Sequence, residues 1–343
     1  MNSSAEDEKT LEFSLLDLLD LEKVIVTARK REEYQLEVPI SISYVPGRSI
    51  ADFNTLKLEE LATNIPNFHL AEANQGNQLF IRGIGSGVNR GFEQTVGTYV
   101  DGVYYGMGVQ SRFPVLDLER VEVLKGPQSV LFGKNTVAGA INITTANPTS
   151  ESKAVLDLYA GEYGETTYTG IFSGPLSDKF RARLAMRGSM MDGWLDNEFT
   201  GKTEPDTNEQ VVRLTAIWDV NPELEINTKL YFGQYEVIGR SKQIGICNQY
   251  LLERNDIMGV TDDCLLDNRT SRGGDLVTHP VDGTTGDFRN EDQDTSFKSV
   301  GITINAQLEN GLFTSQTAYL SHDATDRIDT DETAAPLGVE NTT

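Results

Sequence analysis

From about residue 151 onward the chain alternates between apolar and polar positions. Over residues 181–190, Arg181, Arg183, Ala185, Arg187 and Ser189 share one face, and Ala182, Leu184, Met186, Gly188 and Met190 share the other. Val212, Leu214, Ala216 and Trp218 oppose Arg213 and Thr215. Ile226, Leu230 and Phe232 oppose Glu225, Asn227 and Lys229. Val300, Ile302, Ile304, Ala306 and Leu308 oppose Ser299, Thr303, Asn305 and Gln307. Strands of about ten residues with one apolar side fit a transmembrane β-barrel. A soluble antiparallel sheet gives the same alternation, so the period alone does not choose.

The connections do choose. Residues 174–178, 220–223 and 310–311 read as tight turns rich in Gly, Pro or Asn. Between them lie long polar stretches at 192–209 and 237–296. Outer-membrane barrels have short turns on the periplasmic side and long loops outside. If the chain rises from the periplasm near residue 154, every tight turn falls inside. The one short outer loop is then "GEYGE", residues 161–165.

The first half has a different grammar. Residues 34–148 predict a small α+β domain with short strands at 40–45, 78–82, 97–103, 120–124 and 140–145. Residues 56–65 read as a helix, with Asn54 or Thr55 as N-cap and Pro66 as the stop. Glycine is dense in "IRGIGSGVNRG" and "YVDGVYYGMG", which read as loops. Residues 1–33 predict a largely mobile arm. Leu15, Leu18 and Leu19 line a short helical face there, and residues 24–27 form a β-rich core.

"LKGPQSVLFGKNTVAGAINI", residues 124–143, looks at first like a phosphate-binding loop. It fails the test: Gly126 and Gly133 stand too far apart, and Asn135 follows Lys134 where a Ser or Thr is required. Pro127 removes a backbone N–H where a phosphate would need one. The local reading is strand, short helix, strand, with Gly133 as the helix cap.

Composition narrows the classes. The formal net charge of −23 over 343 residues argues against nucleic acid and anionic membrane surfaces as partners. Three histidines and two cysteines make metal clusters an unpromising reading, and no metal or cofactor is expected. His69, His279 and His322 are scattered, and no nucleophile or acid–base constellation converges, so an enzyme is not expected. No run is apolar enough for a membrane helix, and residues 1–10 lack the pattern of a signal peptide. Cys247 and Cys264 share the longest polar loop, and the reading favours a disulfide between them over two free thiols.

The runs "VPISISYVPGRSI", "LEELATNIPNF", "IRGIGS", "VGTYVDGVYYG" and above all "LERVEVLKGPQSVLFGKNTVAGAINITTANP" resemble the plug of the TonB-dependent outer-membrane receptors. The resemblance covers residues 34–148. It implies an α+β plug followed by an antiparallel transmembrane β-barrel, with residues 149–343 supplying about seven strands. A full barrel of 22 strands would need roughly 600 residues at this spacing. The expectation is therefore a fragment without most of the barrel or a signal peptide, unable to transport alone because an open sheet has an unpaired edge.

The resemblance also implies roles. "EKVIVTA", residues 22–28, looks like the TonB box. Val24, Ile25, Val26, Thr27 and Ala28 would add as a strand to TonB on the periplasmic side. The glycine-rich loops would form the plug apex, with Asn89, Arg90, Tyr104, Tyr105, Met107 and Arg112 meeting the ligand. Arg82, Glu122 and Lys125 are expected in a polar plug–barrel network facing Arg183, Arg187, Arg213 and Lys229. The implied function is TonB-driven uptake of a large nutrient across the bacterial outer membrane, with a ferric siderophore or other iron complex as the leading cargo. Cobalamin or carbohydrate as cargo stays open, as does a passive plugged porin or surface adhesin.

Overall fold

The computed structural model describes residues 24–343 except 28, 32, 54, 56, 72–76, 88–92, 112–114, 199, 242, 244–264, 271–275, 279–284, 288–291, 330–338 and 343. The described residues open with a two-stranded hairpin, β1 (Ile25–Val26) and β2 (Glu33–Tyr34). The plug follows with β3 (Ser41–Pro46), α1 (Gly47–Asp52), α2 (Leu58–Thr63), β4 (Phe68–Ala71), β5 (Gln78–Ile81), β6 (Ile84–Gly85), β7 (Val96–Val100) and β8 (Val103–Tyr105). It ends with β9 (Leu118–Lys125), α3 (Ser129–Phe132) and β10 (Gly139–Thr145).

Five of these strands form one sheet in the order β3-β9-β10-β7-β8, and β4, β5 and β6 form a second. The β9, α3 and β10 unit is the stretch that imitates a phosphate loop. Gly126 and Gly133 take positive φ of 104° and 84°, which lets the chain leave β9 and leave the helix without a Cβ clash. Side chains of β9 alternate into two apolar clusters. Val121 and Val123 join the larger plug core with Leu79, Ile81, Val96 and Ile141, whereas Leu124 packs on the opposite side with Tyr99, Phe132 and Ala140.

The wall consists of β11 (Lys153–Ala160), β12 (Thr166–Ser177) and β13 (Phe180–Met191), a small hairpin β14 (Leu195–Asn197) and β15 (Lys202–Glu204), then β16 (Asp206–Asn221) and β17 (Leu224–Ile238). Short segments β18 (Arg269–Thr270), β19 (Leu276–Thr278) and β20 (Thr285–Asp287) precede β21 (Asp292–Leu308), β22 (Gly311–Asp329) and β23 (Val339–Thr342). Eight strands pair in the order β11-β12-β13-β16-β17-β21-β22-β23, and β11 and β23 are the edges of this open sheet. The eighth strand, one more than the seven or so expected from the sequence, pairs Val339–Thr342 with the end of β22.

This sheet is turned inside out relative to a soluble one. Phe172, Leu184, Leu214, Leu230, Val300 and Tyr319 are successive cross-strand neighbours and form one continuous apolar row. Leu230 is 41% exposed and Val300 42% exposed, whereas Arg213 on the other face is 2% exposed. An apolar outer belt with a polar inner face is the arrangement lipid demands of a barrel. No helix among the described residues is long and apolar enough to cross a membrane.

Docked arm and plug–wall contact as the candidate functional site

The first part of the site is the arm. Its described residues do not hang free, in contrast to the mobile segment expected from the sequence. Val26 is 0% exposed and packs with Val38, Tyr99, Leu124, Phe132 and Ala140. Burying one valine is worth about 1.5 kcal/mol. The Thr27 N–H donates to Glu122 Oε1 at 2.7 Å, and the Thr27 hydroxyl lies 3.3 and 3.4 Å from the two carboxylate oxygens. Glu122 is itself fixed by Arg120 Nε at 3.1 Å and Asn142 Nδ2 at 2.9 Å. A hydrogen bond to a charged group of this kind contributes roughly 1.5–3 kcal/mol.

A second grip lies three residues on. The Lys30 N–H closes a turn on the Thr27 carbonyl at 2.9 Å, with Lys30 at a φ of 61°. The turn lays the Lys30 ammonium 4.3 Å from the Phe132 ring centre and 5.2 Å from that of Tyr99. Burial lowers the Lys30 pKa, because the site is poor in water. Arg29 and Arg31 both pair with Glu33, at 3.2 and 2.7 Å, which braces the hairpin. Ala28 lies outside the described residues.

The second part is the contact between plug and wall. Arg183 grips the Asp117 carboxylate through both Nε, at 2.7 Å, and Nη2. Arg213 donates to the Asp117 carbonyl at 2.6 Å, to its carboxylate at 3.1 Å and to the Leu116 carbonyl at 2.8 Å. Arg187 donates to the Val115 carbonyl at 2.6 Å and pairs with Glu209 of its own sheet. On the neighbouring strand Lys229 reaches Asp101 at 2.7 Å and the Thr145 hydroxyl at 2.8 Å. Gln316 adds a bond to the Asp101 carbonyl. All four basic wall residues expected to face the plug touch it directly. Apolar packing joins them, since Ala185, Val211, Tyr231 and Phe297 of the wall lie in the same cluster as the plug core.

Asp101 and Asp117 are the plug's anchors, and the sequence reading missed both. Each sits at positive φ, 48° and 50°, in a turn beside a strand. An aspartate in a turn is expected for backbone reasons alone, so its second role left no local signal. The three plug charges expected in this contact lie elsewhere. Glu122 serves the arm. Arg82 and Lys125 lie side by side near Gly126, where burial and then the Arg82 charge lower the Lys125 pKa. Among the described residues neither side chain makes a hydrogen bond or ion pair to the wall.

The expected apex residues divide. Asn89, Arg90 and Arg112 lie outside the described residues, as do Cys247 and Cys264. Met107 is half-buried beside the short helical turn Gly108–Ser111, its N–H bonded to Gln110 Oε1 at 3.1 Å. Tyr104 packs against the arm-side cluster, with its hydroxyl in contact with Glu93 and Asn135. Tyr105 is buried against the wall, and burial pushes its phenol up to about 12 while Ser299 accepts or donates a bond there. Among the described residues no group of three His, Cys, Asp or Glu could hold a metal ion.

Comparison with known proteins completes the picture. Residues 35–140 match the family model described as the TonB-dependent receptor plug domain. Residues 35–140 are therefore a plug domain of the TonB-dependent receptor kind. The wall strands are those of an outer-membrane β-barrel. The pesticin receptor of Yersinia enterocolitica is 27% identical over 225 residues, covering 64% of this chain and 28% of that receptor. A vitamin B12 transporter of Vibrio vulnificus is 24% identical over 236 residues, covering 68% of this chain and 37% of the transporter. The solved ferric yersiniabactin uptake receptor of Yersinia pestis shares the fold with a TM-score of 0.70 at 16% identity, over 88% of this chain and 43% of that one. The chain thus spans under half the length of these relatives.

Proposed function

We propose that the chain supplies the plug and part of the wall of a receptor that imports a large nutrient across the outer membrane, driven by TonB. The observation that carries this reading is the docked arm. Residues 24–27 are all β-branched, contain β1, and are held at the plug surface by a few polar bonds and one buried valine. Such a segment suits capture by strand addition, where backbone hydrogen bonds carry the load. A passive channel has no use for it. The wall meets the plug through charge-assisted hydrogen bonds to two aspartates, a contact strong enough to close the lumen and local enough to be remodelled.

An iron complex is the cargo we favour. Ferric yersiniabactin uptake is the named role of a structural neighbour. The vitamin B12 transporter among the relatives supports cobalamin as the second reading. Asn89, Arg90, Tyr104, Met107 and Arg112 remain the proposed ligand contacts, and Tyr105 is proposed to act from beneath them. Uptake of radiolabelled ferric siderophores and of labelled cobalamin by cells expressing the receptor separates the two. Accumulation of an iron complex that stops when the proton gradient is collapsed is the expected result. Accumulation that ignores the gradient points to a passive pore and overturns the proposal.

A further inference from the structure

We propose that Glu122 clasps Thr27 so as to close the edge of β1 to which a partner strand would add. The inference rests on the coupling role proposed for residues 24–28. The pairs Ile25 with Tyr34 and Val26 with Glu33, together with the Gln35 N–H bonded to the Val24 carbonyl at 2.9 Å, fix the register of the hairpin. In an antiparallel pair the hydrogen-bonding groups alternate in direction. Val24 and Val26 therefore point their backbone groups at β2, and the outer edge falls to Ile25 and, just beyond the strand, to the Thr27 N–H, while the Thr27 carbonyl turns into the hairpin's own turn.

Both groups of Thr27 are taken. Its N–H is held by Glu122 Oε1 at 2.7 Å and its carbonyl by the Lys30 N–H at 2.9 Å. Ile25, half-exposed, is left to receive a partner. One residue is too short an edge to hold a strand, because a two-stranded contact needs several successive bonds to be stable. The carboxylate cannot swing aside easily. It is fully buried, and Arg120 and Asn142, which also reach the Thr27 hydroxyl at 3.4 and 3.1 Å, hold it in place. Glu122 thus competes with a partner strand for the same donor, and its loss opens the edge in the absence of any cargo.

The test uses the intact receptor in detergent, with Val26→Cys as reporter because Val26 is fully buried in the docked arm. The measurements are the rate of thiol labelling at that site, corrected for a parent without the reporter, and binding of the purified periplasmic domain of TonB. Glu122→Ala is expected to raise the labelling rate and tighten capture by about tenfold or more, the factor expected for one charge-assisted bond. Glu122→Gln keeps an acceptor oxygen and is expected to stay within about threefold of wild type. Thr27→Pro removes the N–H itself. It is expected to label fast yet not be captured. Unchanged labelling in a folded Glu122→Ala protein overturns the clasp. If that variant does not fold, unchanged labelling in Thr27→Pro overturns it, since this change leaves the plug sheet intact. Faster labelling in both variants with no capture of the TonB domain by any form supports the clasp and sinks the coupling role instead.

Discussion

Arg213 of the wall and Asp117 of the plug are joined twice, at the aspartate carbonyl and at its carboxylate, with the guanidinium almost completely shut off from solvent. Arg183 shares the same carboxylate. Removing one partner of a buried ion pair leaves an uncompensated charge and costs about 3–5 kcal/mol. Asp117→Ala is therefore expected to loosen the plug strongly. The check is denaturant unfolding followed by fluorescence, together with a rise in permeability to a bulky antibiotic.

Asp101 holds the second anchor, but Lys229 and Asp101 both keep partial contact with solvent. Asp101→Ala also frees the Thr145 N–H and hydroxyl, at 3.0 and 2.7 Å. A smaller loss of about 1–3 kcal/mol is expected. Comparing the two variants under the same denaturant ramp tests the ranking.

The outer face of the wall gives a prediction of opposite kind. Leu230→Arg places a charge in the apolar row and is expected to cost about 2–4 kcal/mol in lipid. In a soluble sheet the same change on a face 41% exposed would be close to neutral. Folding titrations in lipid vesicles distinguish the two.

Gly233 has no room for a side chain. A Cβ there would fall 2.1 Å from the Phe297 ring, which packs on Tyr231 with ring centres 4.8 Å apart. Gly233→Ala is expected to cost about 1–3 kcal/mol through overpacking, with a lowered Tm as the readout.

The wall was legible in the sequence because its side chains alternate with a period of two and its turns carry Gly, Pro and Asn. Boundaries moved where tertiary pairing overrode turn signals. Gly174 and Pro175, read as turn residues, lie inside β12 and pair with Ala182 and Arg181. Residues 97–103, read as one strand, break at Asp101 and Gly102 into β7 and β8. The expected helix is shorter, Leu58–Thr63, and Lys57 is its N-cap instead of Asn54 or Thr55. α1 and β4 were not read, being short segments without a clear period. The site was half legible. The basic wall residues could be read from strand facing alone, but Asp101 and Asp117 carried only turn chemistry. The docking of Thr27 on Glu122 joins residues 95 positions apart, and no local pattern encodes such a contact.

The most direct measurement of the coupling account is uptake by a receptor carrying Ile25→Pro. Ile25 contributes the outer-edge N–H of β1, and proline has none, while the buried Val26 and the Thr27 clasp are left in place. The account predicts that cells expressing this variant still bind the labelled iron complex at the surface and no longer accumulate it, matching wild-type cells with a collapsed proton gradient. Accumulation at the wild-type rate would contradict it.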